Sequence, residues 1–482
     1  MKKRTIWITI LLLCVWACLL AVACKKENKP LKAPQNVKIE NEVLTWDEVE
    51  NATGYTVDIN GKQYETESNS LDIFTLAKKP DTAYELKVVA NDKQEKYPQS
   101  EWSEAVAYSF PAVKFTYNLN EQGNAYIITG INAETAKGKV VLPSSINDLP
   151  VMTVQAQAFK NCMEIEGILI SNSVSTIEVG AFEGCSAVKR VHFGKRVDKV
   201  NAPIFNHNGA FKLTVSEDNE VYRAEENCLI KNDGDVLVIG QKTGIIPESV
   251  KIIGDSSFQN CIGLESITIP TTVKEIGRLA FARCESLQSV NISNGVKKIG
   301  DQAFISCDSL KQIVIPRSVT EIGMRVFDEQ TTVLVYDTLL KIGSVGFGNA
   351  MVYTVLDARP EGWDFATSGW LEADQDPRVF YGCEFATENG ETYVSSWKWG
   401  KAGRAMANGA SAYIQRLLPQ RKGYTFVGWA LDKAGENIVV GTTEIVIGEE
   451  VCQIMDFQVS GGRLISDIPN DTVVYAVWQP NA

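Results

Sequence analysis

Histidine and cysteine are the side chains that would carry acid–base, nucleophilic or zinc chemistry, and this 482-residue sequence has only His192 and His207 beside 11 cysteines. No Cys-x-x-Cys pair occurs, so a tetrahedral zinc site has no paired ligands to start from. Asp233, Asp235, Glu225 and Glu226 gather carboxylates near one turn, but the 12-residue ligand spacing of a calcium loop is missing. Asp233-Gly234 between two apolar runs reads instead as a hairpin turn. No nucleophile elbow or phosphate-cradling loop is present either. These residues predict no enzyme, no metal and no cofactor, and a protein that works by binding.

Five of the cysteines are periodic. Cys162 and Cys185 are 23 residues apart, as are Cys261, Cys284 and Cys307. Stacked coils would place them about 5 Å apart, within disulfide reach. In-register side chains point in parallel, however, which favours a column of buried thiols.

The elements that carry these residues must be several. The length predicts about three modules. A composition of 45% hydrophobic and 22% charged residues excludes wholesale disorder. The net charge of −12 excludes a protein that tracks phosphate backbones, so no nucleic-acid partner is expected.

Lys2, Lys3 and Arg4 precede an apolar run, and Ala21-Val22-Ala23-Cys24 stands immediately before Lys25 and Lys26. This is an export signal. It resembles a bacterial lipoprotein signal, which implies cleavage after residue 23, a lipidated Cys24 and a tether over residues 24–33. Ala21 stands where that pattern has leucine, and Ala21-x-Ala23 also reads as an ordinary signal-peptidase site. Thr5 to Cys24, 20 residues without charge, is also long enough to remain as a spanning anchor.

Residues 34–112 alternate at period two between turns, as in Gly54-Tyr55-Thr56-Val57-Asp58-Ile59 and Tyr84-Glu85-Leu86-Lys87-Val88-Val89-Ala90, which predicts an antiparallel sandwich. Asn60-Gly61 is a hairpin signal. Leu44-x-Trp46, Gly54-Tyr55-x-Val57 and Tyr84-x-Leu86-x-Val88 resemble a fibronectin type III module. The resemblance implies a core Trp46, a corner Tyr84 and a spacer role.

Residues 257–279, SFQNCIGLESITIPTTVKEIGRL, 280–302, AFARCESLQSVNISNGVKKIGDQ, and 303–325, AFISCDSLKQIVIPRSVTEIGMR, repeat with period 23. Earlier copies begin at Ala158 and Ala181, and a degenerate one at Val326. One coil cannot bury enough to fold alone, so the copies must stack into a solenoid with special ends. The pattern Ala-Phe-x-x-Cys-x-x-Leu, with Pro270 and Pro316 and with Gly277, Gly300 and Gly323, resembles the BspA-type leucine-rich repeat of bacterial surface proteins. Gly295 and Ser318 stand where ordinary leucine-rich repeats carry their ladder asparagine or cysteine. Between Phe205 and Asp255 the period breaks for a hairpin insertion. Residues 113–383 are the expected extent of the solenoid and its caps, closed by segments around Trp363 and Trp370.

Over residues 384–482, Pro419-x-Arg421-x-Gly423-Tyr424-Thr425-Phe426-x-Gly428-Trp429 and Asp471-x-Val473-x-Tyr475-Ala476-x-Trp478 resemble the Listeria-Bacteroides repeat, which implies a small β-grasp-like module with a core of Tyr424, Phe426 and Trp429. The whole is thus expected to be multidomain and mainly β.

Strand alternation puts two columns on the outward face: Arg190, Ser266, Ser289, Gln312 and His192, Thr268, Asn291, Val314. They are the candidate binding residues. The resemblance implies adhesion to an extracellular protein or glycan, from a lipid anchor in the membrane on the extracellular face of a bacterial envelope. An envelope spacer without a soluble ligand, and a carbohydrate-capturing accessory of a hydrolase system using Trp363 and Trp370, are the alternatives.

Overall fold

The computed structural model describes residues 28–206, 210–328, 330–336, 341–342, 346–348, 350–356, 379–380, 383–389, 391–399, 419–436, 438–447, 450–456 and 472–481. The export signal, Cys24, His207, Trp363, Trp370 and Asp471 lie outside the described residues. The described residues form strands and turns without a helix, so none is available to cross a membrane. The chain divides into two compact units, Met1–Ala112 and Val113–Ala482.

In the first unit the period-two runs pair as antiparallel strands in a three-stranded and a four-stranded sheet. Trp46 is buried with its ring edge-on to Tyr55 at 5.2 Å. The Tyr84 hydroxyl accepts the Lys79 N–H at 2.7 Å and donates to the Lys79 carbonyl at 3.3 Å, so it closes the corner. Asn60 and Gly61 both have positive φ and join Ile59 to Lys62, as the hairpin signal requires. Residues 28–33, within the expected tether, are held against the sandwich: Leu31 is buried, and its N–H bonds the Pro98 carbonyl at 3.0 Å.

In the second unit each coil contributes a four-residue strand, such as Ser289–Ile292, and a two-residue strand, such as Lys298–Ile299. Both pair in parallel with the same position one coil away. Phe281, Cys284, Leu287, Ile292, Val296 and Ile299 point inward and are buried, so the period-23 apolar positions line one continuous core. The Ala-Phe turn is the third side. Phe258, Phe281, Phe304 and Phe327 stack there with centroids 5.0, 5.1 and 5.8 Å apart.

Two left-handed residues shape each such turn, Leu279 and Arg283 in one coil and Gln302 and Ser306 in the next. Each costs about 1–2 kcal/mol relative to ordinary backbone. The conformation is kept because it aims backbone groups at the neighbouring coil: Phe281 N–H bonds the Ala303 carbonyl and Arg283 N–H the Ile305 carbonyl, both at 2.8 Å. Gly300 meets the preceding coil so closely that a Cβ there would lie 2.7 Å from the Arg278 nitrogen and the Gly277 carbonyl carbon.

The insertion is a three-stranded antiparallel meander of Tyr222–Glu225, Cys228–Lys231 and Val236–Ile239, whose last strand pairs in parallel with Ile252–Ile253. It therefore starts the eight-stranded sheet of the second half-solenoid. After the last coils, strands Glu384–Glu388, Glu391–Trp399, Thr472–Pro480, Tyr424–Ala430, Ile438–Ile447 and Glu450–Asp456 form one antiparallel sheet in that order.

In-register stacking sets like positions side by side, and Glu275, Lys298, Glu321 and Lys341 alternate in sign across successive short strands. Lys298 Nζ lies 2.9 Å from Glu275, whose hydrogen bond holds the ammonium above its usual pKa. Lys298→Glu would line up three carboxylates about 4.8 Å apart. Its thermal midpoint should fall at low salt and recover toward wild type at high salt, which melting at two ionic strengths checks. Gly300→Ala should cost about 1–3 kcal/mol through overpacking, read from denaturant unfolding.

Candidate binding face of the solenoid

The outward side chains of the four-residue strands come from alternation within each strand. In Ser266–Ile269, Ile267 and Ile269 are buried while Ser266 and Thr268 are exposed. Ser266 pairs with Ser289 and Thr268 with Asn291, giving a grid of hydroxyl and amide groups with rungs about 4.8 Å apart. Ser289 and Asn291 are likewise exposed.

The two expected columns are not continuous. Arg190 and His192 belong to a separate sheet, opposite Gly167 and Leu169 on one side and Lys212 and Thr214 on the other. The meander of residues 222–239 separates this sheet from the Ser266–Asn291 pair. His192 Nδ1 lies 3.0 Å from the Thr214 hydroxyl, which donates to the Val191 carbonyl at 3.4 Å. Both Arg190 and His192 are half-buried.

Gln312 and Val314 are half-buried and meet the chain's own C-terminal sheet. Gln312 Nε2 donates to the Thr392 carbonyl of the C-terminal sheet at 2.9 Å, and Val314 packs on a cluster shared with that sheet. Along this row Val314 is followed by Leu334, Tyr353 and Phe380, all apolar and, beyond Val314, fully buried. The outward row thus changes from polar to apolar where the chain's own C-terminal sheet sits on it. The signal was present in Thr332-Val333-Leu334-Val335 and Met351-Val352-Tyr353-Thr354, whose lack of alternation marks strands covered on both faces. Tyr424, assigned to the core of the C-terminal module, is half-buried and lies under the Arg421 guanidinium at 3.6 Å, whereas Phe426 and Trp429 are buried.

The carboxylates near the insertion hold structure. Asp235 accepts from Lys251 at 2.7 Å and Arg223 at 3.0 Å, and these two hydrogen bonds keep it below the usual carboxylate range. Glu225 accepts from the Ser249 hydroxyl at 2.6 Å. Both residues tie the meander to the following coil. Among the described residues no cluster of metal-ligating side chains is found.

Cys162, Cys185, Cys228, Cys261, Cys284, Cys307 and Cys383 are free thiols. Cys185, Cys284 and Cys307 each donate to a phenylalanine carbonyl one coil back, those of Phe159, Phe258 and Phe281, at 3.1, 3.2 and 3.2 Å. Burial pushes the Cys185, Cys261 and Cys307 thiols up to about 12. At the break in the period, Cys261 and Ser257 line a small cleft of about 40 Å³ together with Phe205, Phe211 and Phe258.

Residues 151–233 and 241–351 match, in 6 copies, the family model described as BspA type Leucine rich repeat region. This stretch is a BspA-type leucine-rich repeat array. Among solved structures, a leucine-rich repeat protein of T. pallidum is 23% identical, with 49% of this chain and 86% of that one covered and a TM-score of 0.23. A leucine-rich cell surface protein of Faecalibacterium prausnitzii is 18% identical over 54% of this chain and 99% of its own, with a TM-score of 0.28. A leucine-rich repeat protein of Bacteroides ovatus is 20% identical over 57% and 78%, with a TM-score of 0.32. No curated protein matches.

The raised thiol pKa values have a definite sign. Between the ordinary value of 9.0 and about 12 the unfolded chain loses these protons while the folded chain keeps them. Stability should therefore be unaffected by these groups below pH 9 and fall as pH rises above it. Denaturant midpoints from pH 7 to 10 check this. The same burial predicts that Cys284 and Cys307 react with a disulfide reagent only on unfolding.

Proposed function

We propose that this chain is a non-enzymatic binding protein of the bacterial cell surface, recognising an extracellular protein or glycan through the outward strand face of its solenoid. The observation that carries this reading is the grid of Ser266, Thr268, Ser289 and Asn291, exposed on a rigid parallel ladder. A stacked repeat spends its inward positions on the core and leaves the outward ones to selection for recognition. Arg190 and His192, on the separate strand sheet before the insertion, are a second candidate segment beside this grid, whereas Gln312 and Val314 are left out of the reading because they meet the C-terminal sheet.

In this reading the export signal delivers the chain to the extracellular face and Cys24 carries the lipid that holds it in the membrane. The first unit is a fibronectin type III-like spacer, supported by its sheets of three and four strands, its buried Trp46 and its Tyr84 corner. The C-terminal sheet is a Listeria-Bacteroides-type module, supported by the Tyr424–Trp429 strand lying beside the Val473–Trp478 strand.

The test is saturable binding of residues 25–482 to a panel of matrix proteins and neutral and charged surface glycans. The variant Arg190→Ala, His192→Ala, Thr268→Ala, Asn291→Ala should lose binding at least tenfold with unchanged circular dichroism, while Gln312→Ala should bind as wild type. Absence of saturable binding across the panel would move the assignment to an envelope spacer.

A further inference from the structure

The last coils and the C-terminal sheet share one apolar core. Leu334, Met351, Tyr353 and Phe380 come from the coils, and Val394, Trp397, Phe426, Trp429 and Val474 from the sheet. Trp397 meets Phe380 edge-on at 4.6 Å and Trp429 at 6.0 Å, and Tyr353 stacks on Phe380 at 4.5 Å while lying 6.4 Å from Trp429. The aromatic contacts therefore cross the seam rather than stopping at it.

The backbone crosses it too. Val379–Phe380 extends the solenoid ladder beside Met351–Thr354, the Cys383 N–H bonds the Thr354 carbonyl at 2.9 Å, and the next strand, Glu384–Glu388, already belongs to the C-terminal sheet. Gln312 Nε2 and the Thr392 carbonyl join the two from the other side. Without the sheet, the last coils would expose the row Val314, Leu334, Tyr353 and Phe380 to water. Without the coils, the sheet would lose the partner of its two largest buried side chains, Trp397 and Trp429. A single sheet face has no stable burial by itself.

We infer that the C-terminal sheet is the permanent cap of the solenoid, folding as one cooperative unit with the coils from Gln312 onward and closing their outward face to any external ligand. The partner of that stretch of the strand face is the chain's own sheet, so recognition is confined to the coils before it. The coupling stands whether or not the remaining face binds anything.

Amide exchange followed by mass spectrometry on the whole exported chain tests it from both sides. Trp429→Ala, a change in the sheet, should accelerate exchange in residues 312–315, 332–335 and 351–354 at least tenfold, and leave residues 164–169 and 190–193 unchanged. Tyr353→Ala, a change in the coils, should accelerate exchange in residues 391–399 and 424–430 to a similar degree. Acceleration confined to the mutated side in both variants would overturn the inference. If either variant fails to fold, wild-type exchange across a denaturant series decides: one common midpoint for the last coils and the sheet supports a single unit, and separate midpoints overturn it.

Discussion

The constraint on which the second unit depends is the rise of one coil, about 4.8 Å, imposed by the parallel backbone ladder. Every position must tolerate a like position at that distance on either side. Glycine at Gly277 and Gly300, flat phenylalanine rings at Phe281 and Phe304 with an interplanar angle of 3°, and alternating charge at Glu275, Lys298 and Glu321 are separate solutions to this one demand. The cysteine column is another. A thiol is small enough to stack beside its copy, and its weak donor meets a phenylalanine carbonyl of the preceding coil.

The same constraint makes the ends expensive. At the C-terminal end the cost is removed by covering the outward face as well as the inward one. Tyr353 Oη and Trp429 Nε1 are buried there with no hydrogen-bond partner among the described residues. Each such group costs about 1–3 kcal/mol. Fully burying a large apolar side chain returns about 1.5–3 kcal/mol, and this core contains Leu334, Met351, Tyr353, Phe380, Val394, Trp397, Phe426, Trp429 and Val474, so burial prevails. Function is thereby divided along one face: apolar and closed at the C-terminal end, polar and open at Ser266 to Asn291.

The insertion divides the face a second time. The meander of residues 222–239 joins the sheet of short strands, fastened by Arg223, Asp235 and Lys251, while the ladder of four-residue strands is interrupted between Lys212–Val215 and Ser266–Ile269. Arg190 and His192 therefore lie on a different surface segment from the Ser266–Asn291 grid, and a ligand touching both would have to span the break.

The solenoid was legible in the sequence because a period of 23 repeats the same inward residues, and inward identity is decided locally by strand alternation and turn residues. Ser266, Thr268, Ser289 and Asn291 were legible as outward-facing for the same reason. The antiparallel strands of residues 34–112 followed from alternation and turns within a short span, whereas the parts expected of Trp46 and Tyr84 came from a family resemblance. What covers an outward residue is not a local property. Gln312 and Val314 occupy the same repeat positions as Ser289 and Asn291, yet they meet Thr392 and the aromatic core of a sheet some 80 residues further on. The sequence by itself determined which side each residue faces, and the unalternating strands Thr332–Val335 and Met351–Thr354 marked a cover on both faces; only the tertiary structure decided that the cover is the C-terminal sheet and that it reaches Gln312 and Val314, because that depends on long-range burial between segments whose spacing carries no period.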